Sequence, residues 1–239
     1  MSQLDIVFDC CITDPPYGVL NRKNKSVLWD NIIPFEKMWN ILMQKIKHDG
    51  AIVLFGQEPF SSYLRCSNIQ NYKYDWIWDK TRKSGFLNAN KRPLKQHELI
   101  HVFSYGNTPY YPQFIKCELH QKNHNQRNKK TNNCYGKYKS LKIEFTNYKY
   151  PSTIINIPKI HHYNLHPTQK PVALIEYLIK TYTLENEYIL DFTAGSGTTG
   201  IACMETNRKC VLIEKEEKYC DIIIKRLQDK EKEISERLF

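Results

Sequence analysis

Four consecutive residues, Asp14-Pro15-Pro16-Tyr17, put a carboxylate, two rigid prolines and an aromatic ring side by side. That grouping suits an amine whose lone pair is delocalised into a ring, such as the amino group of adenine. The Asp14 carboxylate and the Pro15 carbonyl can each accept one N–H, which leaves the nitrogen lone pair free to face an electrophile. Pro15 and Pro16 restrict the backbone and hold that carbonyl in place. Tyr17 offers a face on which an extruded base can stack. Taken alone, the Pro-Pro pair fits a surface turn equally well.

A second grouping is rich in glycine. Gly195-x-Gly197-x-x-Gly200 follows the apolar run Tyr188–Asp191 and opens a helix, and the next apolar run ends on Glu214. Glycine lets backbone pass close to a ligand, a helix start exposes N–H groups, and an acid can accept ribose hydroxyls. A tight turn in any doubly wound protein gives the same pattern. Asp191 narrows the choice of nucleoside. A carboxylate before the glycines repels a pyrophosphate and suits the cationic methionine amino group of S-adenosylmethionine. No Lys follows the glycines, which excludes a phosphate-gripping P-loop.

Both groupings need strands to carry them. Residues 4–13 are apolar and β-branched up to the prolines, which must end the strand. Phe35, Met38, Trp39, Leu42 and Ile46 recur at helical spacing, predicting a helix over 35–47 closed by Asp49-Gly50, with a buried strand over 51–55. Two more strands are expected at 74–78 and 99–103, joined by a basic loop from Lys80 to Lys95. Pro171 opens a helix to about Tyr182. Strand, glycine turn, helix, strand (210–214) and a charged helix (216–237) then follow. The pattern predicts an α/β, Rossmann-like fold, with a mainly parallel seven-stranded sheet and helices on both faces.

The chain has 239 residues, enough for a single domain. Its 35 Lys and Arg against 25 Asp and Glu permit a polyanionic partner, although such an excess also serves solubility. Eight cysteines without a CxxC pair predict reduced thiols in a cytoplasmic setting. No signal or membrane-spanning run is seen.

With these motifs in hand, the chain resembles the DNA amino-methyltransferases that act on adenine N6 or cytosine N4. The order is the permuted, β-type one, in which the catalytic motif precedes the cofactor motif. The matching stretches are TDPPYG at 13–18, WDKTRKSGFLNANKRPLKQHE at 78–98, HPTQKP at 166–171 and LDFTAGSGTTG at 190–200. The resemblance implies S-adenosylmethionine as cofactor and double-stranded DNA as partner. It makes Asp14, Pro15, Pro16 and Tyr17 catalytic. It sets His166, Thr168, Gln169, Lys170, Asp191, Phe192, Gly195, Ser196, Gly197, Thr198 and Glu214 around the cofactor. Asp before Pro-Pro-Tyr implies adenine N6, with cytosine N4 or a non-catalytic DNA-binding subunit as alternatives. A cytosine C5 enzyme needs a nucleophilic Cys after Pro, and no Pro-Cys occurs. The resemblance also implies a bacterial or viral restriction-modification setting and a homodimer.

Two departures stand out. Only thirteen residues precede Asp14, so one adenosine-binding element is expected to be absent or supplied by Asp5 or Asp9. Phe192 stands where many relatives have Pro. The expected organisation is one domain: a catalytic region 1–106, an inserted target-recognition segment 107–160 and a cofactor region 161–239. The insert is rich in Lys, Asn and Tyr. Lys122, Arg127, Lys129 and Lys130 are its expected phosphate contacts, and Arg82, Lys83, Lys91 and Arg92 those of the 80–95 loop. Cys117, His120, His124 and Cys134 are spaced so that they can just hold zinc, but they read more simply as free side chains in a polar loop, and no metal is expected.

Overall fold

The computed structural model describes residues 1, 4–19, 30–121, 145–159 and 169–237. The strands, in chain order, are β1 Phe8–Thr13, β2 Ile46–Gly56, β3 Tyr72–Ser84, β4 Lys95–Phe103, β5 Ile115–Gln121, β6 Phe145–Lys149, β7 Ile154–Asn156, β8 Tyr188–Asp191 and β9 Lys209–Leu212. The helices are α1 Phe35–Lys45, α2 Phe60–Ser67, α3 Val172–Tyr182, α4 Thr198–Glu205 and α5 Glu217–Arg237. The chain divides into two compact units, Met1–Tyr111 with Thr153–Phe239, and Pro112–Ser152.

The larger unit holds a seven-stranded sheet in the order β7-β3-β4-β2-β1-β8-β9. Every pairing is parallel except those of β4, which runs against β2 and β3. All six residues of β1 are buried, as expected of a central strand covered on both faces. Side chains leave it alternately. Cys10 and Ile12 join a core with Ala51, Val53, Trp76, Ile100 and the inner face of α3, and Cys11 joins another with Ile52, Leu54, Phe103, α1 and α2. A register shift between Phe8 and Cys10 puts Phe8 in the second core despite its even number. Helices therefore cover both faces, and the mainly parallel α/β architecture is as expected.

Several boundaries differ from the sequence reading. Helix α1 ends at Lys45, and β2 starts at once rather than after Asp49-Gly50. Gly50 is not a helix stop but a close approach: a Cβ there would lie 2.6 Å from the Asp9 carbonyl oxygen. Helix α2 was not foreseen; it is short and buries only Phe60, Ser61 and Leu64. The basic stretch 80–95 is for the most part the expected loop, but β3 runs on to Ser84 and β4 starts at Lys95, beyond the strand ends expected at 78 and 99. The side chains of Thr81–Ser84 are exposed, so no alternation marked the end of β3. Ile154–Asn156, placed by sequence within the inserted segment, pairs with β3 and extends the sheet. The smaller unit is an antiparallel pair, β5 with β6, in which the Phe114 and Tyr150 rings lie 4.9 Å apart. No helix of the described residues is long and apolar enough to cross a membrane.

Strands β2 and β8 flank β1 on opposite sides, so the chain order reverses at β1. Ligands of open α/β sheets bind beyond the carboxyl ends of the strands at such a point. Asp14 follows the carboxyl end of β1, and Asp191 ends β8 beside it.

Candidate active site

One cleft of about 520 Å³ spans this switch point, a volume within the usual range of small-ligand sites. Asp14, Pro15, Pro16 and Tyr17 line it, together with Gln169, Lys170, Asp191, Phe192, Gly195, Ser196, Thr198 and Glu214. Residues 178 positions apart in sequence thus share one wall.

Threonines tie the halves together. Thr13 Oγ1 donates to Asp191 Oδ1 at 2.7 Å, and Thr199 Oγ1 to Asp191 Oδ2 at 2.5 Å. The Thr193 N–H also reaches Asp191 Oδ1 (3.2 Å), and Thr193 Oγ1 donates to the Asp14 carbonyl at 3.0 Å. Asp191 is 5% exposed, and burial pushes its carboxyl up to about 6 against the pull of these bonds. Among the described residues its Oδ2 accepts the Thr199 bond alone, which leaves room for one further donor from the cleft.

Glu214 closes the glycine turn. Its Oε2 accepts the Gly195 N–H at 2.7 Å, and its Oε1 accepts those of Lys215 and Glu216. One acceptor position on Oε2 is left for a hydroxyl. Gly197 has φ 78°, and a Cβ there would meet Ile223 at 2.9 Å, so glycine is required on both counts. Arg226 of α5 donates to the Ser196 carbonyl at 2.5 Å and fixes the turn from behind.

On the other side, Tyr17 donates its hydroxyl to Asp14 Oδ1, and the Lys170 ammonium binds Asp14 Oδ2. Lys170 also lies 3.5 Å from Glu98 Oε2, while Lys80 donates to Glu98 Oε1 at 3.1 Å. Burial pushes the Asp14 carboxyl above the usual carboxylate range despite the pull of Lys170. Burial acts on Glu98 in the same direction, but Lys170 and Lys80 outweigh it and bring it down to about 2. Lys170 itself is held above the usual amine range, because Asp14 and Glu98 overcome its desolvation. The Tyr17 ring lies 5.0 Å from Phe60, which with Phe35 backs it. Asp30 accepts the N–H groups of Gly18 (3.0 Å) and Val19 (2.7 Å) and anchors the far side of the loop.

The sequence reading is thereby revised at several positions. Lys170 lines the cleft as expected of it, and its ammonium in addition binds the Asp14 carboxylate, a contact the motif did not name. Asp9 accepts the Tyr188 N–H and pairs with Lys47, and neither it nor exposed Asp5 lines the cleft. Glu98, Thr13, Thr193, Thr199 and Asp30 carry site contacts that no motif singled out, since each depends on a residue distant in sequence or across a loop. Glu98 lay within the 78–98 stretch without a role. Arg82, Lys83, Lys91 and Arg92 are exposed on the β3–β4 hairpin. His166, Thr168, Lys122, Arg127, Lys129, Lys130, His124 and Cys134 lie outside the described residues. Among the described residues, no group of three metal-ligating side chains converges.

A DNA methylase family model, N6_N4_Mtase, matches residues 8–225. The chain belongs to this DNA methylase family. Among its relatives, the Type II methyltransferase M2.LlaDCHI of Lactococcus lactis subsp. cremoris is 48% identical over 62 residues, covering 26% of this chain and 23% of that protein. The alignments with the first two relatives thus span about a quarter of their length. The DNA adenine methyltransferase YhdJ of Escherichia coli (strain K12) is 31% identical over 95% of this chain and 76% of its own. The crystal structure of an M1.HpyAVI-SAM complex matches with a TM-score of 0.61 at 25% identity, over 95% of this chain and 92% of that one. PvuII DNA methyltransferase, described as cytosine-N4-specific, shares the fold at 17% identity and TM-score 0.56, over 94% and 88%.

Proposed function

We propose that the chain transfers the methyl group of S-adenosylmethionine to the N6 amino group of adenine in double-stranded DNA. The observation that carries the reading is the shared cleft: the Asp14–Tyr17 loop and Gly195 and Ser196 of the glycine turn face one cavity. Asp191 Oδ2 and Glu214 Oε2 each keep an acceptor position there, which fits an ammonium and a ribose hydroxyl. Phe192 adds an apolar wall. The bound sulfonium supplies an electrophilic methyl group.

The chain's own residues prepare the amine. The Asp14 carboxylate and the Pro15 carbonyl accept its two N–H bonds, and Tyr17 stacks on the base. Thr193 holds the Asp14 carbonyl and so sets the loop against β8. Lys170 takes one of the two acceptor positions of Asp14 Oδ2, and an amine gains the full carboxylate when the ammonium gives that position up. Among the described residues Glu98 Oε2 has no hydrogen-bond partner, and it lies 3.5 Å from the ammonium, a ready second acceptor. The ammonium then stays neutralised while Asp14 turns to the base. The amine gives up one proton as its N–C bond forms, and solvent or Asp14 takes it up.

Asp rather than Ser at position 14 supports adenine, and the YhdJ alignment agrees with it. The family name covers cytosine N4 as well, so the test is nucleoside analysis of DNA from cells expressing the chain. N6-methyladenine is expected. N4-methylcytosine alone would overturn the base assignment, and unmodified DNA would overturn the function.

A further inference from the structure

The β3–β4 hairpin ends in a basic stretch with an apolar tip. Residues 80–95 contain six Lys or Arg and no Asp or Glu. Lys80 is bound to Glu98, and Lys95 donates to Gln57 at 2.5 Å. The other four, Arg82, Lys83, Lys91 and Arg92, are exposed. Between them Phe86 is 78% and Leu87 84% exposed.

This tip is built. Gly85 takes φ 87°, a conformation that favours glycine, and starts a 3-10 turn over Phe86–Asn88. The Asn88 N–H reaches the Gly85 carbonyl at 2.9 Å, that of Ala89 the Phe86 carbonyl at 3.0 Å, and that of Arg92 the Asn88 carbonyl at 3.0 Å. At its base Ser84 pairs with Lys95, and Ser84 Oγ donates to the Lys95 carbonyl. Single exposed apolar residues are ordinary. Two adjacent ones, held out by a hydrogen-bonded turn among four cations, form a contact surface.

We infer that Phe86 and Leu87 form a wedge that enters the base stack of duplex DNA while Arg82, Lys83, Lys91 and Arg92 hold its phosphates. The inference rests on the DNA reading above. Charge chooses the occupant: the end of the hairpin, residues 80–95, has no acid, so it repels a second copy of itself and attracts a polyanion. Position agrees with it. Trp78 and Glu98, paired across β3 and β4, line the cleft, so wedge and base pocket are two ends of one hairpin. Apolar side chains driven between base steps unstack them. That lowers the cost of extruding a neighbouring base into the cleft.

The test is the Phe86→Ala/Leu87→Ala double variant, assayed with plasmid DNA and with the same DNA heat-denatured. Transfer to duplex is expected to fall tenfold or more, and transfer to single strands to change less than twofold, since only the duplex has a stack to open. Equal losses on both substrates, or no loss on either, would overturn the wedge. So would a shift from dimer to monomer in sedimentation, which would assign the tip to self-association. A wild-type chain that modifies neither substrate sinks the methylation reading itself. The wedge is then decided by end-to-end energy transfer in a labelled duplex: a bend induced by wild type and absent in the variant supports it, and no difference overturns it.

Discussion

The Lys170 ammonium occupies Asp14 Oδ2, an oxygen that the proposed chemistry needs for an incoming amine. The two residues are 156 positions apart and meet because β1 ends beside the residues that lead into α3. Glu98 on β4 completes the arrangement from the other side, so the cation has two carboxylates to choose between.

Replacing Glu98 by Gln keeps the shape and removes the second choice. Lys170 then has Asp14 as its one close carboxylate. The expected result for Glu98→Gln is a kcat lowered roughly tenfold to hundredfold, in line with about 1.5–3 kcal/mol for a hydrogen bond to a charged group. Affinity for S-adenosylmethionine should be unchanged. Steady-state kinetics with calorimetric titration separate the two quantities, and an unaltered kcat would refute the handover.

Asp14→Ala is expected to abolish transfer while leaving binding of S-adenosylmethionine largely intact. Asp14 contacts Tyr17, Lys170 and Thr193 but none of the glycine-turn residues. Tritiated-methyl transfer beside isothermal titration checks both halves. Retained turnover would show that the carboxylate is not the acceptor.

Asp191 makes affinity for the donor depend on pH. Its carboxyl, raised to about 6 by burial, is ionised above that pH and neutral below it. Attraction for a cationic amino group is therefore present above pH 6 and lost beneath it. Affinity for S-adenosylmethionine should weaken by up to about tenfold per pH unit below 6, the limit for one linked proton. Asp191→Asn should flatten that dependence. Titrations from pH 5 to 8 measure it, and a steep slope surviving in the variant would assign the proton elsewhere.

Much of the fold was legible because its cues are local. Prolines after an apolar run end β1, glycines before a helix mark the β8–α4 turn, and Pro171 marks the start of α3. The boundaries that went astray lacked such cues. β3 runs on past Trp78 to Ser84, and the side chains of Thr81–Ser84 are exposed, so no alternation marks its end. Gly50 looked like a helix stop, yet its missing side chain answers to the Asp9 carbonyl of a neighbouring strand.

The chain by itself determined the chemistry on offer: an acid with a rigid carbonyl and a ring at 14–17, and a glycine turn between Asp191 and Glu214. Tertiary structure alone decided how those parts meet. Strand order set β1 between β2 and β8, turned two distant motifs into one cleft, and moved Lys170 onto Asp14 with Glu98 behind it. Residue types and short spacings are written along the chain, whereas burial, desolvation and the pairing of charges arise only when distant segments exclude water together.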